Sequence, residues 1–324
     1  MTVSVDSTDS SKNNPAEQSG SERGLVGIVG TGLLGSAMAE TLIAAGYRVM
    51  GFDVQPDCRT RLKQLGGEPA DNADQVFQRC RTVLLSLPDS RIVGQLLSEI
   101  TSLSPGHLII DTTTGSPEVS EEIGRRLFES SVEYLDATVL GSSEQARRRD
   151  VVTMVGGTAV AYRQAEPILD CFSSRRFHVG PWGCGSRAKL IVNLVLGLNR
   201  AVLAEGLTLA AASGMDQSLM LEILRSGAAA SRVMDTKGRK MIESDFDPPQ
   251  ARLDQHWKDV RLILELGRSV DCPLPLSELH NQLLSKASSL GFGALDNSAI
   301  IRAFSHELPP ENGRTTSDQQ DRTA

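Results

Sequence analysis

Basic residues are in deficit in this sequence: 33 Lys and Arg stand against 40 Asp and Glu, a formal net charge of −7. A nucleic-acid partner, which leaves a basic patch as its footprint, is not expected. Long apolar runs are missing too. A bilayer span needs about 18–20 consecutive apolar residues, and the most apolar stretch, near 190–212, is interrupted by Asn193, Arg200 and Glu205. No membrane span is expected. The N-terminus has no basic region followed by an apolar core, so no secretory signal is expected either. Cysteine is scarce: Cys58, Cys80, Cys171, Cys184 and Cys272 are an odd number without close pairing. That argues against a disulfide framework and a structural zinc site, and points to a reducing cytoplasm. The five histidines are equally scattered, so no metal is expected. Residues 1–23 and 307–324 have almost nothing to bury and read as disordered tails.

What remains is ordinary globular material, 40% hydrophobic with 29 Gly, in a chain of 324 residues that is long enough for two domains. From Gly24 to about Pro181, short apolar runs alternate with amphipathic stretches. Leu25–Val29, Val49–Phe52, Val83–Leu87, Leu108–Ile110, Val132–Leu140 and Val151–Val155 read as strands. Leu34, Met38, Leu42 and Ala45 recur at helical spacing between the first two. Strands alternating with helices imply βαβ units: an α/β domain, doubly wound, with a mostly parallel sheet covered on both faces. After Gly185 strands vanish, and helices are expected near 186–213, 216–226, 250–268, 276–289 and 296–305. The reading is an α/β domain over 24–185 followed by an all-α C-terminal domain over 186–306. The helix from 186 to 213 is apolar almost all round, which implies burial on every side, in a core or at a subunit seam.

The clearest motif is Gly30-x-Gly32-x-x-Gly35, directly after a strand and at the start of a helix. Gly30 makes the tight turn, Gly32 lets the backbone approach a diphosphate, and Gly35 permits close helix–strand packing. The diphosphate then sits on free N–H groups at the positive end of the helix dipole. Gly30, Thr31, Gly32, Leu33, Leu34 and Gly35 are the expected cradle. Asp53 stands 18 residues after Gly35, at the tip of the second strand. A carboxylate there accepts the ribose hydroxyls and repels a 2′-phosphate, which favours NAD. Arg59 and Arg61 nearby keep NADP possible.

Three further segments carry chemistry. Lys189 and Asn193, at i, i+4, share one face of an apolar helix; alone, such a lysine also suits a side chain snorkelling to solvent. The segment from Asp136 to Gly157 and the pair Lys258-Asp259 complete the set. In this order and at these distances the segments resemble the β-hydroxyacid dehydrogenase family, over roughly residues 24–305. The family's opening motif matches from Gly27-Ile28-Val29-Gly30, its Leu-Pro cofactor loop Leu87-Pro88, and its Asp-x-x-Thr segment Asp111 to Thr114.

The resemblance implies a Rossmann domain, a connecting helix and a helical domain that builds a homodimer or homotetramer. It places the catalytic lysine on Lys189 and its partner asparagine on Asn193, with Thr114 and Lys258 at the cofactor and Asp259 toward the substrate. It implies hydride transfer between NAD(P) and a small hydroxy acid or semialdehyde, with Lys189 as general acid/base. Amides of Gly141, Ser142 and Ser143 would hold the substrate carboxylate. The segment departs from the family's Asp-Ala-Pro-Val-Ser-Gly-Gly: Thr138 replaces the proline, Leu140 the serine and Ser142 the second glycine. An imine reductase on the same fold usually lacks the lysine, and a non-catalytic dinucleotide-binding protein would not need Lys189, Asn193 and Lys258 together.

Overall fold

The computed structural model describes residues 23–304; the two expected tails lie outside them, except that Arg23 already belongs to the first strand. The first part of the chain contains β1 (Arg23–Val29), α1 (Leu33–Ala44), β2 (Tyr47–Phe52), α2 (Pro56–Gln64), β3 (Glu68–Pro69), α3 (Ala73–Arg79), β4 (Thr82–Leu85), α4 (Ser90–Glu99), β5 (Leu108–Asp111), α5 (Pro117–Glu129) and β6 (Glu133–Leu140). It continues with α6 (Ser143–Arg147), β7 (Val151–Gly157), α7 (Ala159–Leu169) and β8 (Ser173–Gly180). The strands form one sheet in the order β3-β2-β1-β4-β5-β6-β7-β8. Strands β1 to β6 are parallel; β7 runs antiparallel to β6, and β8 is parallel to β7.

Alternation along the strands fills two cores. Val83 and Leu85 of β4 enter the layer shared with Val76, Phe77 and Tyr134, whereas Leu84 joins Ile28, Met38 and Ile110 on the other face. A sheet covered on both faces needs apolar residues in both registers, so these strands read as continuous runs. Strand β8 escaped that reading. Its sequence, Ser173–Gly180, holds two arginines and is exposed along most of its length, as an edge strand permits; Arg176 is balanced by Glu166 and Asp170. Strand β3, two residues long, left no pattern.

The remainder is helical: α8 (Cys184–Ala212), α9 (Gln217–Ser226), α10 (Arg232–Glu243), α11 (Leu253–Ser269) and α12 (Pro275–Ala287), then a π turn at Ser288–Phe292. The expected last helix at 296–305 is a 3₁₀ turn, Asn297–Ala303. Helix α10 was missed because its glycine and charges blur the apolar period. Gly238 is nonetheless required there, since a Cβ would lie 2.6 Å from Leu221.

Helix α8, 29 residues and about 43 Å long, organises this part. Its first turns pack on β6 and β7, and its later turns on α10 and α11, so the expected boundary near 184–186 falls at its start. By length and composition it could cross a membrane, yet Asn193 and Arg200 lie on its inward face. It is buried on one side only. Ile191, Val195, Val202 and Leu209 are 53–67% exposed, and their spacing of four, seven and seven puts them in one stripe.

Candidate active site

The C-terminal ends of β1, β4, β5 and β6 open at the point where the strand order reverses, the usual ligand crevice of a doubly wound sheet. At the end of β1, Gly30 has φ +90°, and a Cβ there would lie 2.2 Å from the Ser86 carbonyl. A Cβ on Gly35 would lie 1.9 Å from the Gly30 carbonyl, whereas one on Gly32 would meet nothing within 4 Å. The third glycine is therefore demanded by packing and the second leaves open space. Gly32 caps α1 without a side-chain bond, and no acidic residue occupies the first turn. These are the conditions under which a helix N-terminus accepts a diphosphate. Leu33 is exposed at the rim and Leu34 half-buried.

Thr31 sits differently from the expectation. It is buried, and its amide donates to Asp53 Oδ2 at 2.7 Å and so braces the carboxylate, while its hydroxyl has no partner. Asp53 Oδ1 accepts the Gln55 amide at 2.9 Å. The carboxylate is thereby fixed at the tip of β2 with lone pairs to spare. Arg59 folds back onto the Asp53 carbonyl and over the Phe52 ring.

Lys258 joins the two halves of the site. From α11 its Nζ donates to the carbonyls of Thr114 (3.0 Å) and Pro88 (3.3 Å) and lies 3.2 Å from Asp259 Oδ1. The loops after β4 and β5, which carry Leu87-Pro88 and Thr114, are thus clipped to the helical part. Leu87 is tied to the same place by its amide, which donates to Thr113 Oγ1.

Lys189 is half-buried, and its Nζ donates to the Val139 carbonyl on β6 at 2.7 Å. Burial lowers its pKa, opposed by the charge of Asp259 and assisted by that of Lys258. Asn193, one turn on and buried, donates through Nδ2 to Asp259 Oδ2 at 2.9 Å. That bond corrects the expectation for Asp259. The carboxylate is buried behind Asn193, occupied by it and by Lys258, so it supports the site's residues and does not face a substrate.

The loop after β6 turns at Gly141, φ +146°. The Ser142 amide is not free as expected, because it donates to the Gln145 side chain; the hydroxyl caps α6 by accepting the Gln145 amide and keeps its own proton. Ser143, at the first position of α6, has no such engagement. Thr138 is buried and its hydroxyl donates to the Gly185 carbonyl at 2.8 Å, so it cannot stand in for the family serine.

Residue-by-residue reading missed the frame that aims Lys189. Asp136, on β6, accepts the amides of Gly183 (3.0 Å) and Ser186 (2.7 Å) at the start of α8. A Cβ on Gly185 would lie 2.0 Å from the Asp136 carbonyl. Helix α8 is therefore pinned to β6 by a carboxylate on its N-terminal amides and by bare backbone contact. Burial raises Asp136 to about 6, and likewise Asp111, which accepts the Tyr134 hydroxyl. The visible signal was the pair Gly183-x-Gly185 just before the lysine helix.

Residues 25–180 match the NAD binding domain of 6-phosphogluconate dehydrogenase, and residues 183–304 the NAD-binding domain of NADP-dependent 3-hydroxyisobutyrate dehydrogenase. An L-threonate dehydrogenase of Cupriavidus necator is 30% identical over 290 residues, 88% of this chain and 97% of the relative. The chain belongs to the β-hydroxyacid dehydrogenase family. A 2-(hydroxymethyl)glutarate dehydrogenase of Eubacterium barkeri is 28% identical, covering 86% of this chain and 94% of its own. The crystal structure of 3-hydroxyisobutyrate dehydrogenase from Salmonella typhimurium superposes with a TM-score of 0.79 at 26% identity, covering 86% and 99%. As a β-hydroxyacid dehydrogenase the protein is an oxidoreductase that binds a nicotinamide dinucleotide and acts on hydroxy acids.

Proposed function

We propose that this enzyme oxidises a small 3-hydroxy acid, or reduces the matching semialdehyde, with NAD and with Lys189 as general acid/base. The observation that carries the reading is the convergence of Lys189 and Asn193 with the loops held by Lys258. When bound, the nicotinamide takes or returns a hydride at C4. Lys189 accepts the hydroxyl proton in oxidation and delivers it in reduction. Its lowered pKa favours the neutral amine near physiological pH more than an exposed lysine would. Asn193, held by Asp259, keeps its carbonyl oxygen for the substrate hydroxyl. The loop at Gly141 and Ser143 receives the substrate carboxylate on its amides.

The fixed carboxylate of Asp53 supports NAD over NADP. Leu140, half-buried at the end of β6, supports a substrate other than 3-hydroxyisobutyrate, because an isobutyl group cannot bond a carboxylate. The relatives' own substrates include L-threonate and 2-(hydroxymethyl)glutarate, so polyhydroxylated and branched hydroxy acids belong in the same panel. The exposed stripe on α8 supports a homodimer or homotetramer in which a second copy covers it. The odd, unpaired cysteines support a cytoplasmic location. Turnover of NAD with L-threonate, glycerate, 3-hydroxyisobutyrate and 2-(hydroxymethyl)glutarate tests the activity, and absence of turnover with every hydroxy acid would contradict it.

A further inference from the structure

Beyond the active site, the face of α8 that carries Lys189 and Asn193 continues inward through Gly197 to Arg200. Arg200 is 4% exposed, and its Nε and Nη1 have no hydrogen-bond partner. Opposite it stand His256 of α11, 5% exposed, and His280 of α12, 2% exposed, each with an unpartnered Nε2. The two rings are 5.2 Å apart between centroids. They meet over bare backbone: a Cβ on Gly197 would lie 2.5 Å from His256 Nε2 and 2.7 Å from His280 Cε1. The unpartnered edges of both rings thus converge on the same turn of α8, one turn before Arg200.

The carboxylate whose charge reaches this guanidinium is Asp296, but it makes no hydrogen bond to it. Asp296 is taken by Lys237 Nζ, by the Gln250 amide and by Ser298. Asp259 is taken by Asn193 and Lys258. A buried cation without a counter-charge is strongly disfavoured, and buried N–H groups without acceptors add to the cost. Neither histidine relieves it as a cation: burial and the charge of Arg200 push His280 down to about 4 and His256 in the same direction. A metal is the wrong partner for a site that contains a guanidinium, and no group of three metal-ligating side chains occurs among the described residues.

We propose that Arg200, His256 and His280 hold a small monovalent inorganic anion, of the size of chloride, inside the helical part of the chain. The anion supplies the missing negative charge and accepts from the guanidinium and from the two imidazoles in their Nε2–H tautomers. Burial of all three side chains, with the rings packed on bare backbone at Gly197, favours a small monatomic ion over an organic acid, which separates this site from the substrate loop.

The test compares thermal unfolding of the full chain in sodium chloride, sodium bromide and sodium gluconate at matched ionic strength, with Arg200→Met alongside. Chloride and bromide should raise Tm saturably above gluconate, by about 3–6 °C, and the difference should vanish in Arg200→Met. Crystals grown in bromide should show an anomalous peak in contact with Arg200 and both histidines, a readout that needs no variant. Equal Tm in all three salts, an undiminished halide response in Arg200→Met, or only water beside the guanidinium at saturating bromide would each overturn the proposal. Should Arg200→Met fail to fold, His280→Asn takes its place, with a weakened halide response expected and an unchanged one contradicting the site.

Discussion

Lys189 and Val139 lie 50 positions apart in the chain, yet the lysine Nζ donates to the valine carbonyl at 2.7 Å. That bond aims an ammonium from the long helix at the end of β6, beside the turn at Gly141. It is held from both ends: Asp136 anchors the start of α8, and Asn193, one turn beyond the lysine, is locked to Asp259. The lysine therefore belongs to a rigid frame.

Asp53 should set cofactor preference. NAD should be used with higher kcat/KM than NADP, and Asp53→Asn should narrow or reverse the ratio. A tenfold preference of the unmodified enzyme for NADPH, about 1.4 kcal/mol, would refute its role.

Leu140 should set substrate choice. A charge-assisted bond from a serine hydroxyl to a carboxylate contributes about 1.5–3 kcal/mol, so Leu140→Ser should improve kcat/KM for 3-hydroxyisobutyrate by roughly tenfold or more. An unmodified enzyme already efficient on that acid, and unimproved by the substitution, would remove Leu140 from the specificity argument.

The stripe of Ile191, Val195, Val202 and Leu209 should be covered in solution. Sedimentation should give a dimer or tetramer at micromolar concentration, and Val202→Glu should shift it toward monomer. A fully active monomer would contradict the seam.

Much of this was legible in advance. The parallel strands announced themselves because a sheet buried on both faces must be apolar in both registers, and the glycine cradle because its spacing follows from sterics at Gly30 and Gly35. Lys189, Asn193 and Lys258 stood out only together, through the family resemblance, because each alone also suits a solvated helix face. What was not legible depends on three-dimensional pairing. Asp136 gave no local sign that it caps a helix 50 residues later. The amides of Thr31 and Ser142 and the carboxylate of Asp259 looked available because a sequence shows donors and acceptors but not which are already used.

The buried pair Lys237–Asp296 gives a stability test. Burial works to raise the Asp296 pKa, but the Lys237 and Ser298 donors outweigh it and hold it at about 2, below the ordinary unfolded value of about 3.9. A depressed carboxylate stabilises above its unfolded pKa, and that contribution is lost as pH falls through the folded one. Asp296→Asn should cost about 3–5 kcal/mol at neutral pH, because Lys237 is left buried and unpaired. Urea unfolding should show the gap between variant and parent shrinking between pH 4 and 2; a gap independent of pH would contradict the ionised pair.

The most direct measurement of the central claim is single-turnover kinetics of Lys189→Ala on the best substrate, beside dinucleotide affinity by fluorescence titration. The account predicts that kcat falls by roughly 10²–10⁴, the usual contribution of general acid–base catalysis, with dinucleotide affinity nearly unchanged. Near-normal turnover in the variant would show that Lys189 does not move the proton.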